Sequence, residues 1–251
     1  VGQMMCHWDT SPQNISRLIS SINNNEQVAP PFTLQILSDD PELERRCTEI
    51  YSNDRFPQST NQQRIQPYRR HKKIRIGYFS AHFYSHPVTT GIADLFKLHD
   101  REKFEIHAFA FGLDRKDSWN SRVREDVDFF HDTHEMSDQD IVLLARSMEI
   151  DIAVDLTGYT KGNRTGIFAS SVAPLQIGYI GFLGTMGASY YDYILADKIL
   201  IPEENKKYYS EKVVHLPCYQ VNSEQPHSPQ KWFDREHFGI PKDAFVFCCF
   251  N

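Results

Sequence analysis

"IRIGYFSAHFYSHPVTTGIADLFKLH", Ile74–His99, sets the fold class. It opens as a short apolar strand and closes as an amphipathic helix, with Ile92, Leu95 and Phe96 sharing one face. Between them lies a polar loop. Downstream the pattern repeats: "FEIHAFAFG" reads as a strand, "DSWNSRVRED" as a helix and "VDFFHD" as a strand. "SDQDIVLLARSMEI" reads as a helix, with Ser137 and Asp140 spaced as a capping box. "DIAVDL" (strand), "GNRTGIFASSVA" (helix) and "LQIGYIGF" (strand) follow, then two more strands in "DYILAD" and "KVVHLP". Strands alternating with helices predict an α/β fold with right-handed crossovers, a Rossmann-like, doubly wound and mainly parallel sheet.

Upstream the chain is helical. "SPQNISRLISSI" offers Ser11 as cap and Pro12 in the first turn, and "NNNEQVAPPF" breaks the helix. "DDPELERRCTEIYSN" starts another, with Asp40 as cap and Leu43, Cys47, Ile50 and Tyr51 on one face. The polar stretch "DRFPQSTNQQRIQPYRRHKK" reads as a connector. Residues 1–72 are thus expected to form two linking helices and a basic linker, and residues 73–240 the sheet lobe. Residues 241–251, ending "AFVFCCFN", read as the first strand of a second lobe cut short.

The chain has 251 residues and a formal net charge of −6, which argues against general nucleic-acid binding. Its apolar runs are strand-sized, far short of the roughly 20 residues that span a bilayer. Five cysteines (Cys6, Cys47, Cys218, Cys248, Cys249) lack zinc-ligand spacing and read as reduced thiols of a cytoplasmic protein. "DVD", Asp126–Asp128, mimics a metal motif and equally fits an exposed helix end.

In a doubly wound sheet, ligands sit beyond the carboxyl ends of the strands. Three loops qualify. Ser80–Thr90 has no G-x-G-x-x-G and instead carries Ser85, His82 and His86, suited to meeting hydroxyls. His86 stands at a helix start, where it either caps the helix or meets a ligand. The loop Thr157–Arg164 offers the hydroxyls of Tyr159 and Thr160 and the charges of Lys161 and Arg164, suiting a phosphate or a peptide backbone. Ile180–Gly187 is glycine-rich, suiting either close approach to a ligand or a bare turn.

"RIGYFSAHFYSHP", "VDLTGYTKGNR", "SSVAPLQIGYIGFLGTMG", "DYILAD" and "YSEKVVHLP" resemble, in order and spacing, the catalytic region of the O-GlcNAc transferases, glycosyltransferase family 41. "CHWDTSPQNISRLISSI" resembles the segment joining that region to tetratricopeptide repeats. The resemblance implies the first lobe of a GT-B enzyme that moves N-acetylglucosamine from UDP-GlcNAc to Ser or Thr hydroxyls of acceptor proteins. It implies inversion, no metal and no further cofactor, no nucleic-acid or membrane partner, and homo-oligomers built through repeats. UDP would be held chiefly by a second lobe, leaving this fragment alone inactive.

Residue by residue, the resemblance makes His86 the essential histidine, with His82 beside it as a second catalytic candidate. Tyr159 and Lys161 fall in a motif near the acceptor, while Ile180, Gly181 and Leu183 fall in the loop that meets the sugar. Four positions depart from the family: His82 stands where Asp is usual, Leu183 where Pro is usual, Ser85 where animal members have Asn, and Tyr51 where animal members carry His. The departures at His82 and Tyr51 keep a second reading open, a degenerate member that binds proteins without catalysis. On fold alone, an unrelated nucleotide-binding module is a third.

Overall fold

The computed structural model describes residues 11–58, 65–69, 71–222 and 233–248. Cys6, Cys249 and the end of the last strand pattern lie outside them. Seven strands form one wholly parallel sheet: β1 (Ile74–Ser80), β2 (Phe104–Ala110), β3 (Phe129–Asp132), β4 (Ile152–Asp155), β5 (Leu175–Tyr179), β6 (Tyr193–Ala196) and β7 (Lys212–His215). Their order is β3-β2-β1-β4-β5-β6-β7, so the winding reverses between β1 and β4. At such a reversal the flanking loops part and leave a crevice.

The helices are α1 (Ser11–Asn23), α2 (Pro31–Gln35), α3 (Pro41–Arg55), α4 (Pro87–Gly91), α5 (Leu95–Leu98), α6 (Ser118–Asp126), α7 (Asp138–Ser147) and α8 (Gly166–Ala169). Successive strand residues point to opposite faces, and this alternation divides the core in two. Phe79, Phe109 and Ala153 meet α7 and α8 through Ile141, Ala145, Ile167 and Phe168. Ile76, Tyr78, Ile106 and Val154 meet α4, α5 and α6 through Val88, Phe96 and Val123. Phe79 and Phe109 stack at 4.4 Å between centroids.

The linking region holds three helices, not the two expected. α2 begins in "APPF", the stretch read as a break; Pro31 occupies its first turn, where a missing N–H costs nothing. α3 starts as expected, with Asp40 accepting from the Glu42 and Leu43 amides. Ile22, Ala29, Leu34, Leu43 and Cys47 give these helices a small core of their own. The helix expected over "TTGIADLFKLH" divides into α4 and α5. The carbonyl of Gly91 accepts from Val221 N (2.9 Å) and Asp94 N donates to the Val221 carbonyl (3.2 Å), so a returning segment occupies groups a continuous helix would pair internally. The helix expected over "GNRTGIFASSVA" shrinks to α8. Ser171 takes φ of +54°, and Arg146 binds the Ser170 and Ser171 carbonyls.

Residues 241–248 join no strand ladder, and Phe245 and Phe247 are exposed. A strand exists only against a neighbour that takes its hydrogen bonds, and the sheet ends at β7. The "DVD" carboxylates face cations: Asp128 pairs with Arg101 (2.9 Å) and Asp126 with Arg122 (3.6 Å). No helix among the described residues is long and apolar enough to cross a membrane.

Two histidines sit across β2 and β3. His107 Nδ1 and His131 Nε2 lie 3.0 Å apart, and His107 Nε2 meets Glu105 at 3.0 Å. Burial first, then the neighbouring His107, pushes His131 down to about 4. A depressed imidazole adds stability that is complete above the unfolded value of about 6.5 and is lost as pH falls from there through about 4. His131→Asn removes that titration, so the variant should lose less stability than the parent between pH 7 and pH 4.5 in urea denaturation; equal losses would refute it. Phe79→Ala should cost about 3–5 kcal/mol in the same assay, through the cavity left in the stacked core.

Candidate active site

The loops after β1, β4 and β5 meet at the carboxyl edge of the sheet. Ala81 N donates to Thr157 Oγ1 (3.1 Å), joining the first loop to the second across the β1/β4 reversal. Asp155 fixes the start of the second loop. Its Oδ1 accepts from Thr157 N and Gly158 N (2.9 Å each), and its Oδ2 from the Tyr191 hydroxyl (2.6 Å). The third loop returns onto the second: the Tyr159 hydroxyl donates to the Met186 carbonyl (2.9 Å), and the Tyr159 and Phe182 rings lie 5.5 Å apart.

His86 is half-buried in the first loop and caps α4, with Nδ1 accepting the Val88 N–H at 3.2 Å. The helix-cap reading from sequence is therefore realised, and it leaves the other ring nitrogen available. His82 lies under it, the two rings stacked at 3.9 Å and 7°. His82 is buried, and its pKa falls to about 4 through burial and then the charge of His86. His86 is lowered too, by burial and then by Arg115. Arg115 sits over the Tyr84 ring at 4.3 Å, and Tyr84 meets His86 edge-on at 5.7 Å. Ser85 is exposed, its N–H donating to Asp117 (2.7 Å).

Four candidates stand differently from their sequence reading. Tyr159 is 4% exposed: its ring packs between Tyr51 (5.2 Å) and Phe182, so it holds the loops together and presents no side chain to a ligand. Arg164 is not a free cation. Its guanidinium pairs with Asp138 (2.6 Å) and donates to the Met136 carbonyl (2.7 Å), because a part-buried charge takes the nearest carboxylate. Gly181 is small for an internal reason: a Cβ there would run into the Leu156 carbonyl. Ile180 is buried, at φ +60°, and Gly181 N closes a tight turn back to the Tyr179 carbonyl (2.8 Å). This is the strained form of the three-residue turn, and the packing of the Ile180 side chain keeps it in place.

Lys161 and Leu183 are exposed; Thr160 is half-buried, donating to the Thr157 carbonyl (2.8 Å). Tyr51, read as standing in for a histidine, joins the aromatic cluster with Phe56 and Tyr159. Two partners escaped the sequence reading. The loop after β2 brings Arg115 beside the imidazoles; the carboxyl-end rule, applied to "FEIHAFAFG", would have found it. Glu211, buried just before β7, accepts from Met186 N (2.5 Å) and the Thr185 hydroxyl (2.6 Å), and so anchors the third loop; no sequence pattern marks it. A polar groove of about 1240 Å³ opens elsewhere, between α1, α3 and Lys207–Tyr208, and its Arg45 is already paired with Glu49 (2.7 Å).

The surface so formed presents an imidazole with Arg115 beside it, and exposed Lys161 on a neighbouring loop, at the crevice of a parallel sheet. It can donate hydrogen bonds and attract an anion. Among the described residues, no group of three His, Cys, Asp or Glu side chains is placed to hold a metal ion.

The model of glycosyl transferase family 41 matches residues 54–225. A probable UDP-N-acetylglucosamine–peptide N-acetylglucosaminyltransferase, SEC, of Arabidopsis thaliana is 34% identical over 99% of this chain. The chain spans 28% of that relative's length. The corresponding Caenorhabditis elegans transferase is 29% identical over 58% of this chain, covering 13% of its own length. Among solved structures, a mutant O-GlcNAc transferase of Thermobaculum terrenum superposes with a TM-score of 0.66 at 27% identity, over 72% of this chain and 35% of the other. The seven-stranded parallel lobe, its carboxyl-edge loops and these likenesses lead to one assignment: the chain belongs to glycosyl transferase family 41.

Proposed function

We propose that this chain is one wall of a protein O-GlcNAc transferase, which moves N-acetylglucosamine from UDP-GlcNAc to Ser or Thr hydroxyls of acceptor proteins with inversion. The observation that carries the reading is half-buried His86 at the β1/β4 reversal, with Arg115 of the loop after β2 beside it and the loop after β4 bonded to the His82 ring beneath it, while its Nε2 meets no described protein partner. The named activity of the relatives supports the donor and the acceptor. In this reaction the acceptor oxygen bonds to the anomeric carbon as the bond from that carbon to the diphosphate oxygen breaks. The electron pair leaves with the diphosphate, whose oxygens take up the proton that the hydroxyl releases. A departing diphosphate needs donors and positive potential. His86 supplies a donor through Nε2–H, and Arg115 and Lys161 supply charge on this side of the cleft.

The surface is better furnished for donation than for taking the hydroxyl proton. His82 is sealed and held near 4, and His86 Nδ1 is engaged at the helix cap. The remaining donor contacts belong to a second lobe beyond these residues. The enzyme would be cytoplasmic, joined to tetratricopeptide repeats through which it oligomerises; free Cys47, Cys218 and Cys248 fit a reducing compartment. No metal or further cofactor enters this scheme.

A second reading, protein binding without catalysis, is favoured by the imidazole at position 82, where the family pattern has a carboxylate. His86→Ala in the full encoded protein separates the two. Transfer of labelled GlcNAc from UDP-GlcNAc to an acceptor peptide should fall on the order of 10²-fold or more. Turnover near that of the parent would remove His86 from the chemistry. Peptide capture with no transfer by the parent protein would establish the binding reading.

A further inference from the structure

The imidazole beneath His86 has no place yet in the scheme. His82 is 6% exposed and fixed from several sides. Its amide donates to Ser80 Oγ (2.9 Å), its carbonyl accepts the Thr89 hydroxyl, and its ring bonds to the Lys161 backbone in the loop after β4. Its Nδ1 is buried without a partner among the described residues. The ring is therefore a rigid shelf, and His86 lies flat on it.

The tautomer of His86 follows from its cap. A ring nitrogen that accepts an N–H carries no proton, so Nδ1 is bare and the neutral ring bears its hydrogen on Nε2. We propose that His82 is a positioning residue for His86: by stacking beneath it, His82 fixes the plane of the ring and keeps it as an Nε2–H donor. This rests on the transferase reading above for its catalytic meaning, though not for its structural content.

The surrounding charges point the same way. From the first loop His86 faces neutral His82, the Tyr84 ring and the Val88 N–H. From the loop after β2 it faces Arg115, with Asp117 engaged by Ser85 N, while the loop after β4 reaches His82 through the Lys161 backbone, its side chain exposed. A proton on Nδ1 would abandon the Val88 bond and meet the charge of Arg115. A neutral ring at position 82 does nothing to offset that. A carboxylate there would attract the proton and turn a donor that also caps its helix into a cation that cannot cap.

The test is nitrogen-15 NMR of histidine-labelled protein, with the parent compared with His82→Asp and His82→Phe. In the parent, His86 should show the Nε2–H tautomer from pH 8 to pH 6. His82→Phe keeps a flat neutral ring and should keep the tautomer. His82→Asp should raise the His86 titration by about one unit, and its ratio of transfer rate at pH 6 to that at pH 8 should fall on the order of tenfold below the parent ratio. An Nδ1–H tautomer in the parent overturns the proposal, and that measurement needs no variant to fold. So does a His86 titration unmoved by His82→Asp. Should the NMR outcomes hold while no form of the protein transfers sugar, the positioning role stands and the transferase reading fails.

Discussion

One buried tyrosine holds the candidate site together. Tyr159 places its ring among Tyr51, Phe56 and Phe182 and gives its hydroxyl to the Met186 carbonyl. Those contacts join α3, the loop after β4 and the loop after β5. Glu211 completes the clasp by taking the Met186 N–H, so both main-chain groups of Met186 are engaged. A fully buried aromatic side chain contributes a few kcal/mol through the area it removes from water. Here that contribution goes to holding two loops of a cleft wall, which suits loops that must stay in place while a ligand comes and goes.

Charge is sorted by depth around this clasp. The carboxylates Asp155 and Glu211 turn inward; burial raises the pKa of each, and the amides and hydroxyls bound to them act against that shift. Arg115 and Lys161 remain outside. The outer surface therefore favours an anion, although the chain as a whole carries a formal net charge of −6. The bulk charge of the chain and the local field at this edge are independent properties.

The sheet was legible because alternation of strand and helix is a strong periodic signal. Six of the seven strands lie within the stretches from "IRIGYF" to "KVVHLP", β1 runs one residue past its stretch to Ser80, and Ser137 caps α7 as its spacing indicated. Long-range bonds were not legible. Nothing in "TTGIADLFKLH" announces that Val221 will take the Gly91 carbonyl and split the helix, and nothing in "TGYTKGNR" tells Arg164, bound to Asp138, from Lys161, which is exposed. Side-chain type named the candidates of the loops; only burial separated those that face outward from those that brace the loop. Tyr159, Ile180 and Gly181 belong to the second group.

The split between α4 and α5 has a mechanical side. Past β7 the chain doubles back and is stitched to the lobe at Tyr179, whose hydroxyl holds the Tyr219 carbonyl at 2.6 Å, and then at Gly91 and Asp94. Gly91 ends the short helix that His86 begins. The outgoing strand of polypeptide is thus moored to the far end of the lever on which the imidazole rides. The segment leaving β7 and the imidazole are attached to opposite ends of one short helix.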